Sequence, residues 1–274
     1  MDIDEELVAT LVAAQFPQYA DLPVARVEPG GNDNRTFRIG TALSARLPSA
    51  AGYVPAVEKE HRWLPELARQ LEVTIPQPVG LGAPGHGYPW PWTLNRWLPG
   101  SDLLHAHELD RTRLAAELGR FLRALRSIDG SHGPLAGAHS FYRGASLQHY
   151  DSEARSALRS PDEAKIWHEA LASQWHGPPT WFHGDIAPGN LLIDQGRLCA
   201  VIDWGTSGVG DPACDLVIAW TYFDAVERQT FAAEAGLDEG TWARARGWAL
   251  WKALITGGHD SDRVVRELLE DAVV

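Results

Sequence analysis

The run Trp181-Phe-His183-Gly-Asp185-Ile-Ala-Pro-Gly-Asn190-Leu-Leu-Ile-Asp194 continues as Ala200-Val-Ile-Asp203-Trp-Gly and then Gly210-Asp211-Pro-Ala-Cys-Asp215-Leu216. It alternates short apolar stretches with polar residues at their ends. Leu191 to Ile193 and Leu198 to Ile202 read as two strands joined by a turn over Asp194 to Gly196. The hairpin carries Asn190 at one end and Asp203 at the other, and Gly184 opens a loop ahead of it that presents Asp185.

These residue types suit one kind of chemistry. A loop carboxylate such as Asp185 can orient a hydroxyl and accept its proton. The amide oxygen of Asn190 and the carboxylate of Asp203 are hard oxygen ligands fitted to Mg²⁺. A base and two such ligands on a short hairpin are what phosphoryl transfer needs, because its catalysis is mostly positioning and charge neutralisation. Taken singly, each residue is an ordinary turn or cap residue. The information lies in their ordered combination. His183 and Asp211 read as braces of the loop, and Asp215 as a helix cap or first-turn acid.

The combination His183-Gly-Asp185 with Asn190, Ile202-Asp203-Trp-Gly, and Gly210-Asp211-Pro-Ala-Cys-Asp215 resembles the aminoglycoside phosphotransferase family, a branch of the protein-kinase-like fold. The resemblance implies an α+β fold of two lobes, a small β-rich lobe over residues 1–98 that binds nucleotide and a mainly helical lobe over 99–274 that holds the catalytic and acceptor sites. It makes Asp185 the catalytic base, Asn190 and Asp203 the magnesium ligands, and ATP or GTP the phosphate donor. Unlike a protein kinase, the chain has Trp-Gly after Asp203 and no long activation segment.

Outward from this stretch, the N-terminal part reads as a helix over Asp4 to Phe16, strands over Val24 to Pro29, Arg35 to Ile39 and Leu43 to Leu47, and a helix over Val57 to Leu71. Gly30 and Gly31 sit where the family's nucleotide-positioning loop belongs, without the double-spaced glycines of protein kinases. A tight hairpin turn is the competing reading. Arg46 stands where the family carries a phosphate-gripping lysine. Arginine keeps the charge with a different geometry, and Lys59 on the next helix is the other candidate. Glu58 or Glu60 could supply the acid that pairs with that cation, and the resemblance points to Glu60. Ile75 to Pro78 and Gly80 to Gly87 read as a loop-rich stretch and Trp92 to Trp97 as a strand; the resemblance implies a hinge at Asn95 to Leu98, whose backbone at Arg96 and Leu98 would face the purine base.

The second lobe reads as helices over Asp110 to Ile128, Ser146 to Arg159, Pro161 to Gln174, Asp215 to Phe223, Val226 to Ala235, Trp242 to Ile255 and Ser261 to Leu269. Asp151, Glu153, Asp224, Glu227, Glu267 and Glu270 are candidates for holding the ammonium groups of a cationic acceptor, although Arg143, Arg155, Arg159 and others are interspersed with them. An acceptor space walled by apolar and aromatic side chains would instead suit a large, weakly charged molecule.

With 274 residues, 45% hydrophobic and 22% charged, the chain is long enough for both lobes of a soluble protein. A formal charge of −12 argues against nucleic acid and anionic membrane as partners and suits a cation. Cys199 and Cys214 form no disulfide framework. An acidic start and the lack of a long apolar run lead to the expectation of a cytoplasmic protein.

The expected function is therefore transfer of a nucleotide γ-phosphate to a hydroxyl of a small molecule, an aminoglycoside or other antibiotic first, with metabolite kinases of the choline, fructosamine, homoserine or methylthioribose type as the alternative. A nucleotide-binding protein without catalysis, and a metal-dependent hydrolase built on His183 and Asp185, are the readings from other classes. The second lacks any His-Glu-x-x-His cluster.

Overall fold

The computed structural model describes residues 2–28, 30–31 and 33–270. Pro29 and Asn32, which the sequence places in the first strand and its turn, lie outside the described residues. Two compact units divide the chain, Met1–Pro99 and Gly100–Val274.

The first unit is a five-stranded antiparallel sheet with two helices. In chain order it runs α1 (Glu5–Gln15), β1 (Val24–Arg26), β2 (Asn34–Ile39), β3 (Leu43–Pro48), α2 (Val54–Ala68), β4 (Pro78–Gly82) and β5 (Trp92–Arg96), and the strands lie in the order β1-β2-β3-β5-β4. Asp4 caps α1 by accepting the Leu7 N–H, and Glu5 and Glu6 favour its positive end. Val8, Leu11 and Val12 then meet Phe37, Ile39, Leu47 and Trp92 in one core.

Strand β4 lies in the stretch that reads as loop. Prolines and glycines hide it, yet the glycines are there for packing. A Cβ on Gly80 would stand 2.4 Å from the Phe16 ring and one on Gly82 2.1 Å from Trp92, so the rings lie directly on bare backbone. Helix α2 starts and ends about one turn earlier than its apolar pattern suggests, because Pro55 fits a first helical turn.

The second unit comprises β6 (Ser101–Asp102), α3 (Arg111–Ser127), α4 (Asp151–Ala157), α5 (Pro161–Ala172), β7 (Thr180–Phe182), β8 (Leu191–Asp194), β9 (Arg197–Val201), β10 (Gly208–Gly210), α6 (Ile218–Thr221), α7 (Ala225–Ala235), α8 (Glu239–Thr256) and α9 (His259–Glu270). Its strands form two small antiparallel sheets, β6-β8-β9 and β10-β7. Two expected helices are shorter than their sequence pattern. The first opens with a 3₁₀ turn at Leu147–Tyr150 before α4, and Pro212–Val217 is 3₁₀ before α6. Among the described residues no helix is long and apolar enough to cross a membrane.

Candidate active site

Strand β7 delivers the chain to His183, which is wholly buried. Its Nε2 donates to the Ile202 carbonyl at 2.9 Å and its Nδ1 accepts the Asp185 N–H at 3.2 Å. Both nitrogens are thus spent on backbone, and the ring has no lone pair left for a metal. His183 is a brace, and the hydrolase reading loses its ligand. Gly184 has φ +87, and a Cβ there would meet the Thr206 carbonyl at 2.7 Å, so the loop is open to glycine alone.

Asp215 holds this loop from below. It is 2% exposed, and its carboxylate accepts the N–H of His183 at 2.9 Å and of Gly184 at 2.6 Å. The sequence reading gave this acid to its own helix. It does lie in the first turn of the 3₁₀ segment, but its oxygens serve a loop more than thirty residues earlier. Asp211 braces as expected, accepting from Ala213 N and pairing with buried Arg244 at 2.7 Å.

Asp185 is half-buried and both its oxygens are engaged. Asn190 Nδ2 donates to Oδ2 at 3.1 Å and to the Asp185 carbonyl at 2.9 Å. Lys252, on α8, donates to Oδ1 at 3.0 Å. Burial alone would raise the Asp185 carboxyl, but the Lys252 ammonium, followed by His183 and Arg143, outweighs it and holds the group below the usual carboxylate range. A carboxylate has about four acceptor positions, so an incoming hydroxyl still finds one.

Because the Asn190 NH₂ faces Asp185, its Oδ1 is left as an acceptor. The Ile202 N–H donates to the Asn190 carbonyl at 2.9 Å, which sets Asp203 beside Asn190 at the open end of the β8–β9 hairpin. Asp203 has φ 65, in the left-handed region. Two protein oxygens are few for a metal site by themselves, and no cluster of three or more His, Cys, Asp or Glu occurs among the described residues. Magnesium nonetheless completes its shell with water and phosphate oxygens, so one amide oxygen and one carboxylate fit it.

In the first unit, Arg46 on β3 and Glu60 on α2 form an ion pair at 3.2 Å with side chains only 14% and 6% exposed. Lys59 is buried next to Glu60, and desolvation lowers it to about 8. The strand cation that meets the helix acid is therefore Arg46. Gly30 and Gly31 are exposed, and a Cβ on either would have ordinary clearance, so nothing in the protein's own packing demands glycine there. The Arg96 N–H is taken by the Gln77 carbonyl at 3.0 Å, while Leu98 follows the last sheet bond, from Trp97 N to Ala42 O.

The acids expected to bind ammonium groups are mostly occupied. Asp151 accepts from Arg155 and Trp167, Glu153 from Trp251, Asp224 caps α7, Glu227 pairs with Arg111, and Glu267 pairs with Arg228. Glu270 is exposed at the end of α9.

Sequence reasoning missed Lys252 and the true target of Asp215, and took Arg143 only as a cation interspersed with the helix acids. A lysine in an apolar helix stretch, Trp-Ala-Leu-Trp-Lys252, was the available signal.

The family model that matches residues 24–248 is that of the phosphotransferase enzyme family, APH. The chain belongs to this family. Among curated proteins, this phosphotransferase-family chain is 27% identical over 141 residues to an aminoglycoside 3'-phosphotransferase of Escherichia coli, covering 47% of this chain and 51% of that one. It is also 43% identical over 54 residues to YcbJ, an uncharacterized protein of Bacillus subtilis, covering 19% and 18%. The chain thus spans about half or less of the length of these curated relatives. Its fold is similar to that of the GDP complex of aminoglycoside 2'-phosphotransferase-IIIa, with TM-score 0.72 and 20% identity over 98% of both chains. It is similar too to a macrolide 2'-phosphotransferase of Brachybacterium faecium, with TM-score 0.66 and 22% identity over 99% of this chain and 100% of that one.

Proposed function

We propose that the chain transfers the γ-phosphate of ATP or GTP to a hydroxyl of a small-molecule acceptor. The observation that carries this is the setting of Asp185: a carboxylate kept ionised, aimed by Asn190, on a loop pinned by two backbone hydrogen bonds to Asp215. In this reading Asp185 orients the acceptor hydroxyl and takes its proton as the oxygen bonds to the γ-phosphorus and the bond to the β-phosphate oxygen breaks. Arg46, fixed by Glu60, offers a guanidinium to phosphate. Asn190 Oδ1 and Asp203 would hold Mg²⁺, which when bound neutralises phosphate charge. The backbone at Gly30, Gly31 and Leu98 would contact the nucleotide.

The relatives' names, aminoglycoside and macrolide phosphotransferases, speak for an antibiotic acceptor. The engaged acids of the second unit speak against a polyamine acceptor.

Thermal unfolding with ATP tests the nucleotide and metal roles. At a hundredfold excess over Kd, binding adds about 2.7 kcal/mol, roughly 5–10 °C in Tm for a chain of this size. The shift is expected with Mg²⁺, absent with chelator, and absent in Asp203→Asn, a residue that tolerates the same backbone. An equal shift with chelator, or a fully active Asp203→Asn enzyme, would overturn the metal assignment.

A further inference from the structure

Two cations line the recess in front of Asp185. Lys252 reaches it from α8 and Arg143 from the loop ahead of α4, with Trp248 and Trp251 as the aromatic wall. Arg143 is held by those rings and not by an acid. Its Cζ lies 4.6 Å from the Trp251 ring centre and 5.5 Å from that of Trp248. Among the described residues no carboxylate forms an ion pair with it, and its Nη1 is buried without a hydrogen-bond partner. Trp248 is 1% exposed, and its Nε1–H is likewise buried without an acceptor.

Both unpartnered atoms are donors, so what they lack is an oxygen. The formal balance of Arg143, Lys252 and Asp185 is positive. An ammonium placed here would meet two like charges, whereas a carboxylate or phosphate would meet opposite charge and N–H donors in need of an oxygen.

We propose that Arg143, Lys252 and the Trp248 indole form a subsite for an oxyanion on the acceptor, so that the molecule phosphorylated is a hydroxyl compound bearing a carboxylate or phosphate, not a polyamine. The proposal rests on the phosphotransferase reading and adds the acceptor class. Lys252 is the part that adapts: its ammonium can keep one N–H on Asp185 and turn another to the bound anion, while the acceptor hydroxyl takes a remaining lone pair of Asp185.

The test is a titration of the ¹⁵N-labelled full-length protein with malonate and, separately, with inorganic phosphate. Ionic strength is held constant with sodium chloride, and the Trp248 and Trp251 indole signals are followed. A saturable shift is expected that weakens roughly ten- to a hundredfold in Arg143→Met, the loss of a charge-assisted hydrogen bond. Arg143→Lys should recover part of it. Lys252→Met, at a half-exposed position, should weaken it too, and gives a second route if Arg143→Met folds poorly. Tighter binding of malonate identifies a carboxylate acceptor, and tighter binding of phosphate a phosphorylated one. Silent indoles, shifts equal in wild type and both Met variants, or a response to an aminoglycoside in place of the anions would overturn the subsite. Metal-dependent ATP binding measured on the same samples separates the two readings. If it persists while the anions stay silent, only the subsite fails; if it is absent, the phosphotransferase reading fails as well.

Discussion

The pair Arg46–Glu60 in the first unit and the pair Lys252–Asp185 in the second have nearly the same length, 3.2 and 3.0 Å, and opposite surroundings. The first is sealed, with its acid 6% exposed; the second is half open, at 37% and 36%. A sealed pair has already given up its hydration and holds its geometry because the alternatives are worse. An open pair keeps water as a competitor, so another ligand can replace either partner at small cost. The same chemical contact thus serves as a fixture in one place and as an exchangeable contact in the other.

The largest expected effect breaks the sealed pair. Glu60→Leu takes the carboxylate away from a mostly buried guanidinium and should cost about 3 kcal/mol, read as a lower urea midpoint. A loss under about 1 kcal/mol would mean that the pair is as exchangeable as the other.

Lys252→Met should change stability by less than about 1 kcal/mol, but it should change the titration of the base. In the wild type the folded-state Asp185 carboxyl lies below its ordinary range, so its ionised form stabilises the fold above that range and loses this as pH falls through the lowered value. Without Lys252, desolvation dominates and the group moves up. The acid limb of kcat/KM should therefore shift to higher pH in Lys252→Met, and an unmoved limb would separate the pair from catalysis.

The smallest effect is expected from Arg46→Lys. It keeps the charge opposite Glu60 and should raise KM for ATP a few-fold, against a much larger rise in Arg46→Ala. Equal kinetics in the two variants would remove Arg46 from phosphate binding.

Much of this arrangement was legible in the sequence. Asp185, Asn190 and Asp203 fall within one hairpin and the loop before it, so local periodicity and turns were enough to bring them together. The Arg46–Glu60 pair was readable from one strand and the next helix. Lys252 and Arg143 were not. They reach Asp185 from 67 residues ahead and 42 behind, and helical spacing says which face a lysine shares but not which loop that face will meet. Strand β4 escaped because the glycines that make room for Phe16 and Trp92 look like turn residues until the rings are in place.

Asp203 adds a consequence for adaptation. A non-glycine residue at φ 65 gives up roughly 1–2 kcal/mol of folding free energy, although aspartate tolerates this region better than most. Glycine at this position would relieve that strain, offset in part by the greater freedom a glycine loses on folding. Selection for heat resistance alone would therefore act on the residue proposed to hold the metal, and would meet the loss of transfer in the same step. That the chain keeps aspartate there marks a place where tolerance to temperature and the capacity to turn over substrate pull against each other.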